Sequence, residues 1–381
     1  MTKQSHTERT AHEPRDATLH TVTISKITQV SPTIRLFRFD LAENDSITFL
    51  PGQWVDLHLP PETNITKAGG FTITSSPNLA LSNQPYLATQ DQDPNHPTTA
   101  TPTATTAPTT PYIELAIQSS PQNPTAAYLF SPASTLLHTP VQVRVGGRFV
   151  FPPPSLLPLR AATSISTSNS AASAHHSPPS HLRKLVLVAG GMGINPLISI
   201  LSSINEQQGV QQAKDVRADK HRVEVEVEVE VEVEEVRVLY SVKDPRLSTP
   251  APSPQGEENP GVINTGDVLF LDRIAAVFGS GRVKGGVRLF VTGSGEDATA
   301  SATGSQKGEV ELTAGGNYKI PLLRRRMTVQ DVEEAVGEED KEDAVVYVCG
   351  VPTMTDEFVE ALVARDGFGM DPERVSFEKW W

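Results

Sequence analysis

Residues 184–201, "KLVLVAGGMGINPLISIL", decide how the second half of this chain folds. Residues 185–188 are apolar without alternation, the pattern of a strand buried on both faces. A turn of Gly190, Gly191 and Gly193 follows, then a helix with Asn195 as N-cap and Pro196 in its first turn. Strand, glycine turn and helix N-terminus together make an anion site. Glycines let backbone N–H groups approach a phosphate, and the positive end of the helix faces it. The glycine order is not the G-x-G-x-x-G of the common dinucleotide fingerprint. A second unit of the same kind, "AVVYVCGVPTMTDEFVEAL" (344–362), ends its strand in a Cys349-Gly350-x-Pro352 turn before the next helix.

Working outward, strand-like runs alternate with helix-like runs at 196–204, 268–277, 328–336 and 354–365, which predicts a parallel sheet covered by helices over 184–381. Residues 21–151 instead carry short β-branched or alternating runs ("TVTISKITQV", "TIRLFRFDL", "WVDLHL", "YIELAIQ", "VQVRV") separated by Pro and Gly turns, as an antiparallel β-barrel requires. Two domains follow, a barrel with an insert at 81–111 and an α/β domain with inserts at 205–235 and 293–318. Residues 1–20 read as a disordered N-terminus and 152–183 as a Pro/Ser-rich linker, too poor in large apolar residues to order itself. The run "VEVEVEVEVEVEE" (223–235) has period-two β patterning, but Glu235 breaks its phase with Val236, Val238 and Tyr240. The strand is therefore expected over 236–242. The repeat reads as a protruding extension, either a simple-sequence expansion at a loop or an acidic docking arm.

The 381 residues carry a net charge of −13, which argues against nucleic acid or an anionic membrane surface as partner. A single cysteine, Cys349, excludes an internal disulfide framework, a four-cysteine zinc site and a self-contained iron–sulfur cluster. The ten histidines show no metal-ligand spacing. The longest uncharged apolar stretch falls short of the roughly 20 residues of a spanning helix and is broken by glycines and Pro196. No membrane span is expected, and the compartment is expected to be the reducing cytoplasm, with the mitochondrial matrix as the alternative.

The two glycine turns resemble the pyridine-nucleotide domain of the ferredoxin–NADP reductase-like flavoproteins, whose patterns are "AGGxGI[TN]P" and, several strands later, "CGPPxM". Here the first is met by Gly190, Gly191, Gly193, Ile194, Asn195 and Pro196. The second is met by Cys349, Gly350, Pro352 and Met354, with Val351 where a proline is usual. The barrel half adds "PGQW" (51–54), similar to the family's "PGQ[YF]", and "GGFTITSSP" (69–77) in the place of its flavin motif. The "GGFTITSSP" variant and the "FEKWW" terminus look most like the branch of oxidoreductase NAD-binding domain-containing proteins.

This resemblance implies a flavin-binding barrel followed by an NAD(P)-binding domain, with FAD and NAD as cofactors and NADP as a possible replacement. It implies a flavin-dependent NAD(P)H oxidoreductase, in which NADH gives hydride to FAD and electrons leave to an unknown acceptor. Phe71, Thr72, Ile73, Thr74, Ser75 and Ser76 would line the flavin, with the Thr72 hydroxyl at the reactive ring edge. Thr125 and Ala126 would complete the pyrophosphate site. Cys349 would lie by the nicotinamide, although a buried small hydrophobe is the commonest role of such a residue. Trp381 would cover the flavin or pack on the protein itself. Gly69 stands where the family's pyrophosphate arginine is expected, leaving Lys67 or Arg144 to supply that charge. The alternative is a degenerate binding or assembly module that keeps the fold without turnover. NADH is expected over NADPH, because Glu296 and Asp297 beside Ser294 would repel a 2′-phosphate, with Lys243, Arg246 and Arg324 to Arg326 as the residues that would reverse it.

Overall fold

A computed structural model of the chain describes residues 6–81, 110–156, 181–217, 231–247, 263–293, 310–314 and 318–379. Alternating apolar residues build the first sheet from β1 (His20–Ser31), β2 (Ile34–Asp40), β3 (Trp54–His58), β4 (Gly69–Thr72), β5 (Tyr112–Gln118) and β6 (Pro140–Gly146). They run antiparallel in the order β4-β3-β6-β1-β2-β5, with short helices α2 (Pro124–Tyr128) and α3 (Ala133–Leu136) between β5 and β6 in the chain. The two edges approach through one isolated bridge, Ile73 to Leu115, so the barrel is nearly but not fully closed. Val141, Val143 and Val145 of β6 point inward at every second position, against Ile24, Phe37, Phe39 and Leu57.

The second sheet has the order β10-β11-β9-β8-β7-β12-β13. Its strands are β7 (His181–Gly190), β8 (Glu232–Lys243), β9 (Gly285–Thr292), β10 (Val310–Ala314), β11 (Tyr318–Leu323), β12 (Ala344–Gly350) and β13 (Val375–Lys379). Only β10 runs antiparallel to its neighbour. β12 is buried at all seven positions, as its unbroken apolar run demands. Helices α4 (Ile194–Arg217) and α5 (Leu271–Gly279) cover one face, and α6 (Val329–Val336) and α7 (Pro352–Val363) the other.

Four expectations need correction. Residues 6–16 are not outside the fold: α1 (His6–Arg9) packs on β4, and Arg15 bridges Gly146 of β6. Their anchor is Asp56 of β3, fully buried, which accepts hydrogen bonds from Arg15 Nε at 2.8 Å and Arg144 at 2.9 Å, with His6 Nε2 at 3.3 Å. The expected insert at 293–318 contains a real strand, β10, whose alternation within "VELTA" is masked by the Gly/Ser/Thr-rich composition around it. The expected insert at 205–235 begins as a continuation of α4 and ends as the first residues of β8.

The Val-Glu repeat gives the fourth. Strand β8 starts at Glu232, and His181↔Glu232, Leu182↔Val233 and Lys184↔Glu235 pair at the same offset as the rest of the ladder. Val231 and Val233 are buried in the same cluster as Val236, Val238 and Tyr240, despite the broken phase. The reason lies in β7. Leu182 and Leu185 also share that cluster across an odd step, so both strands change face together at Arg183-Lys184 and Glu234-Glu235. Residues 223–230 lie outside the described residues.

The two sheets are joined by buried polar contacts. The Tyr347 hydroxyl donates to Val150 O at 2.6 Å, Ser199 Oγ to Ser75 O at 2.7 Å and Asn195 Nδ2 to Ala116 O at 3.0 Å. Glu206 of α4 accepts from Ser76 Oγ at 2.6 Å and Asn78 Nδ2 at 3.0 Å, and Arg273 of α5 donates to Glu114 of β5 at 2.8 Å. Each is worth about 1 kcal/mol net, and more where a carboxylate takes part. Phe149 and Phe151 extend the α/β core across the junction by packing on Tyr347.

Candidate dinucleotide site between the sheets

A cavity of about 2040 Å³ lies between the barrel and the C-terminal ends of the parallel strands. It is well above the roughly 300–1,000 Å³ of a site for one small ligand, so it has room for two bound groups. Its barrel wall is formed by His6, Arg9, Trp54, Lys67, Gly70, Phe71, Thr72 and Ala126. The opposite wall is formed by Gly190, Gly191, Asn195, Tyr240 to Lys243, Arg246, Arg326, Met354 and Glu378.

Besides Glu378 Oε2 of β13, the buried polar atoms on these walls with no hydrogen-bond partner among the described residues include Thr72 Oγ1 from the barrel and Asn195 Oδ1 from α4. An unpaired buried hydroxyl or amide costs roughly 1–3 kcal/mol, so a ligand that pairs with both is favoured. Gly191 completes this picture. It adopts φ +55°, and a Cβ built on it would meet nothing within 4 Å, so its backbone is open to the cavity. The residues present therefore fit a bound flavin and nucleotide.

The remaining predicted residues divide by what they touch. Ile73, Thr74, Ser75 and Ser76 are fully buried and tie the end of β4 to the second strand edge and to α4. Thr74 Oγ1 donates to Glu114 Oε1 at 2.8 Å, and Ser75 Oγ accepts from Glu114 N at 3.1 Å. Thr125 donates to Lys67 O at 3.0 Å, and the N–H of Ala126 is taken by the Asn123 side chain at 3.2 Å. Asn195 is not an N-cap. A tight turn at Gly191–Gly193 leads into α4 at Ile194, which puts the Asn195 amide against β5. Ile194 and Pro196 are buried beside it.

Gly193 serves packing: a Cβ there would sit 2.0 Å from the Cys349 carbonyl oxygen. Cys349 itself is fully buried among the α4/α5-face side chains and does not line the cavity, and Gly350 stands close against Met354. Pro352 opens α7. Trp381, like Ser294, Glu296 and Asp297, lies outside the described residues.

The charges differ from expectation. Arg144 is held by Asp56 and does not line the cavity, whereas Lys67 does. Arg9 was missed because the first twenty residues were set aside on composition; the "HTER" turn flanked by further basic residues was the signal. A side chain at Gly69 would meet the Phe71 ring at 2.6 Å and Thr125 Cβ at 2.9 Å. Burial, reinforced by the nearby Glu13, pushes the Glu378 carboxyl up to about 8 against the opposing pull of Arg9. Burial alone would also raise Asp56, but hydrogen bonds from His6, Arg15 and Arg144 override it and hold the carboxyl well below the usual range.

The fold, an antiparallel barrel packed on a parallel sheet with a cavity at the strand ends, is similar to that of solved ferredoxin–NADP reductase-like flavoproteins. The CS-b5R domains of human Ncb5or in the NAD+ form superpose with a TM-score of 0.50 at 14% identity, over 94% of this chain and 69% of that one. In sequence, the chain is similar to proteins named Oxidoreductase NAD-binding domain-containing protein 1. The Xenopus laevis protein is 28% identical over 377 residues, covering 99% of this chain and 84% of its own length. The Bos taurus protein is 26% identical over 379 residues, covering 100% and 86%. No family model matches the sequence. No helix among the described residues is long and apolar enough to cross a membrane.

Proposed function

We propose that this chain is a flavin-dependent NAD(P)H oxidoreductase, with residues 21–151 as the FAD-binding domain and 184–381 as the nicotinamide nucleotide domain. The observation that carries the reading is a cavity walled by Phe71 and Thr72 on one side and Gly190, Gly191 and Asn195 on the other, two of whose wall residues, Thr72 and Asn195, hold a buried oxygen without a partner among the described residues. Bound flavin supplies the hydride-accepting chemistry, and reducing equivalents then pass to a separate acceptor. The chain's own residues align the two groups and exclude water. Phe71 offers a ring to pack on, Thr72 a hydroxyl to donate, and Gly191 an open backbone for a phosphate. Cys349, buried at the end of β12, does not line the cavity.

The packing at Gly69 favours a second reading, a binding or assembly module without turnover, because that position cannot carry a pyrophosphate arginine without displacing Phe71 and Thr125. Reconstitution with FAD or FMN, followed by gel filtration and a visible spectrum, separates these readings from a fold that has lost its flavin. Retention of FAD in preference to FMN supports a flavin site; no retained flavin from excess FAD rejects it.

A further inference from the structure

Gly70 stands where the N-terminal segment leaves no room for a side chain: a Cβ built on it would run into the His6 ring. His6 also packs edge-on against Trp54, with ring centroids 4.7 Å apart, and the Arg15 guanidinium lies 4.9 Å from the centre of the Trp54 ring. Arg15 closes the segment on itself by donating to Thr10 O and to Thr10 Oγ1, each at 2.6 Å, while its Nε holds Asp56. Residues 6–16 are therefore seated on β3 and β4, where Trp54 pairs with Thr72. This seat brings His6, Arg9 and Thr10 into the cavity wall with Trp54, Gly70 and Thr72.

We infer that Arg9 is a further cofactor-binding residue, the cation that meets the negative charge of the reduced flavin ring, so that a segment outside the barrel sets the reduction potential of the bound cofactor. The inference rests on the flavin reading above and deepens it. Hydride transfer from NAD(P)H moves one proton and two electrons to the flavin; NAD(P)+ leaves, and the neutral ring becomes a monoanion. A cation beside that ring, in a site shielded from water, favours the reduced form over the oxidised one.

The charges on these walls single out Arg9. The carboxylate of Asp56 is already shared by His6, Arg15 and Arg144. Lys379 of β13 pairs with Asp356 of α7 at 2.5 Å, and Glu13 with Arg148 at 3.0 Å. Lys67 belongs to the α2 end of the barrel wall, where its carbonyl accepts from Thr125. The acid facing Arg9 from the other sheet is Glu378. With its carboxyl raised to about 8, Glu378 is protonated at neutral pH and acts there as a hydrogen-bond donor instead of a counter-charge. Burial lowers the Arg9 guanidinium from its ordinary value, a cost that an anion in the cavity relieves. Thr72 Oγ1 and Glu378 Oε2, both without a partner among the described residues, add two more donors to the same walls.

The test is the reduction potential of the FAD-reconstituted full chain, read by equilibration against a reference dye, together with the affinity for oxidised FAD, read by quenching of free flavin fluorescence. Arg9→Ala should weaken the binding of reduced FAD relative to oxidised FAD at least about tenfold, a shift of roughly 30 mV to more negative potential for a two-electron couple. Oxidised-FAD affinity and melting temperature should stay at their wild-type values, and Arg9→Lys, which keeps the charge, should retain most of the wild-type potential. An unchanged potential in Arg9→Ala overturns the inference and leaves the flavin reading standing. Loss of oxidised-FAD affinity in Arg9→Ala, with the potential of any retained flavin unchanged, also overturns it, since the cation would then serve the diphosphate. Failure of the wild-type chain to retain FAD overturns both.

Discussion

Gly191 and Gly193, two residues apart in one turn, do different things. Gly191 faces open cavity at φ +55°, whereas Gly193 abuts the Cys349 carbonyl. Asparagine tolerates the left-handed conformation, so Gly191→Asn should lower nicotinamide-nucleotide affinity at least about tenfold by calorimetry with little change in melting temperature. Gly193→Ala should instead lower the melting temperature, since backbone must move; an unaltered melting curve would contradict the close approach. Glu378 gives a signed pH dependence. Its folded carboxyl is raised to about 8 from an ordinary 4.5, so the native state holds a proton that the unfolded chain has lost between those values. The contribution to stability is therefore full below about 4.5 and falls as pH rises to about 8. Glu378→Gln should flatten the melting temperature across pH 5 to 8, and a slope equal to wild type would contradict the raised carboxyl. At this scale the sequence exposed the glycine turn and the Phe71-Thr72 pair. It did not distinguish ligand-facing from packing glycines, because that depends on β12 arriving at Gly193 from over 150 residues away.

Among the elements, β8 shows where pattern reading stops. A broken alternation argued that the strand begins at Val236, and the argument fails because β7 breaks phase at the paired position. Only the partner strand carries that information. Deleting residues 223–233, harmless if the strand began at Val236, should now lower the melting temperature, since it removes buried Val231 and Val233. Val233→Ala alone should cost roughly 1–3 kcal/mol in urea denaturation; no loss in either variant would return the repeat to a loop. The N-terminal segment is the second case. Charged, short and without periodicity, residues 6–16 earn no element from propensity, yet the buried Asp56 binds them to β3 through Arg15 and His6. Asp56→Ala leaves Arg15 and Arg144 without their carboxylate in a partly buried setting, and about 3–5 kcal/mol should be lost. A loss below about 1 kcal/mol, the size of an exposed pair, would show the segment to be loosely held.

For the whole molecule, the division into barrel and α/β sheet was legible because period-two runs with Pro/Gly turns and apolar strands alternating with helices are different signals. Their relative placement was not. It rests on contacts such as Tyr347 to Val150 and Ser199 to Ser75, whose partners are far apart in sequence and ordinary in type. That placement turns two half-sites into one cavity and is the basis of the functional account. The most direct test is an anaerobic titration of the FAD-reconstituted protein with NADPH, and separately with NADH, followed at the visible absorption band of the oxidised flavin. The account predicts that the band bleaches at one equivalent of nucleotide and returns on admission of an electron acceptor. A protein that holds FAD but keeps its band unchanged with excess NADPH and NADH would contradict it, leaving a binding module in place of an oxidoreductase.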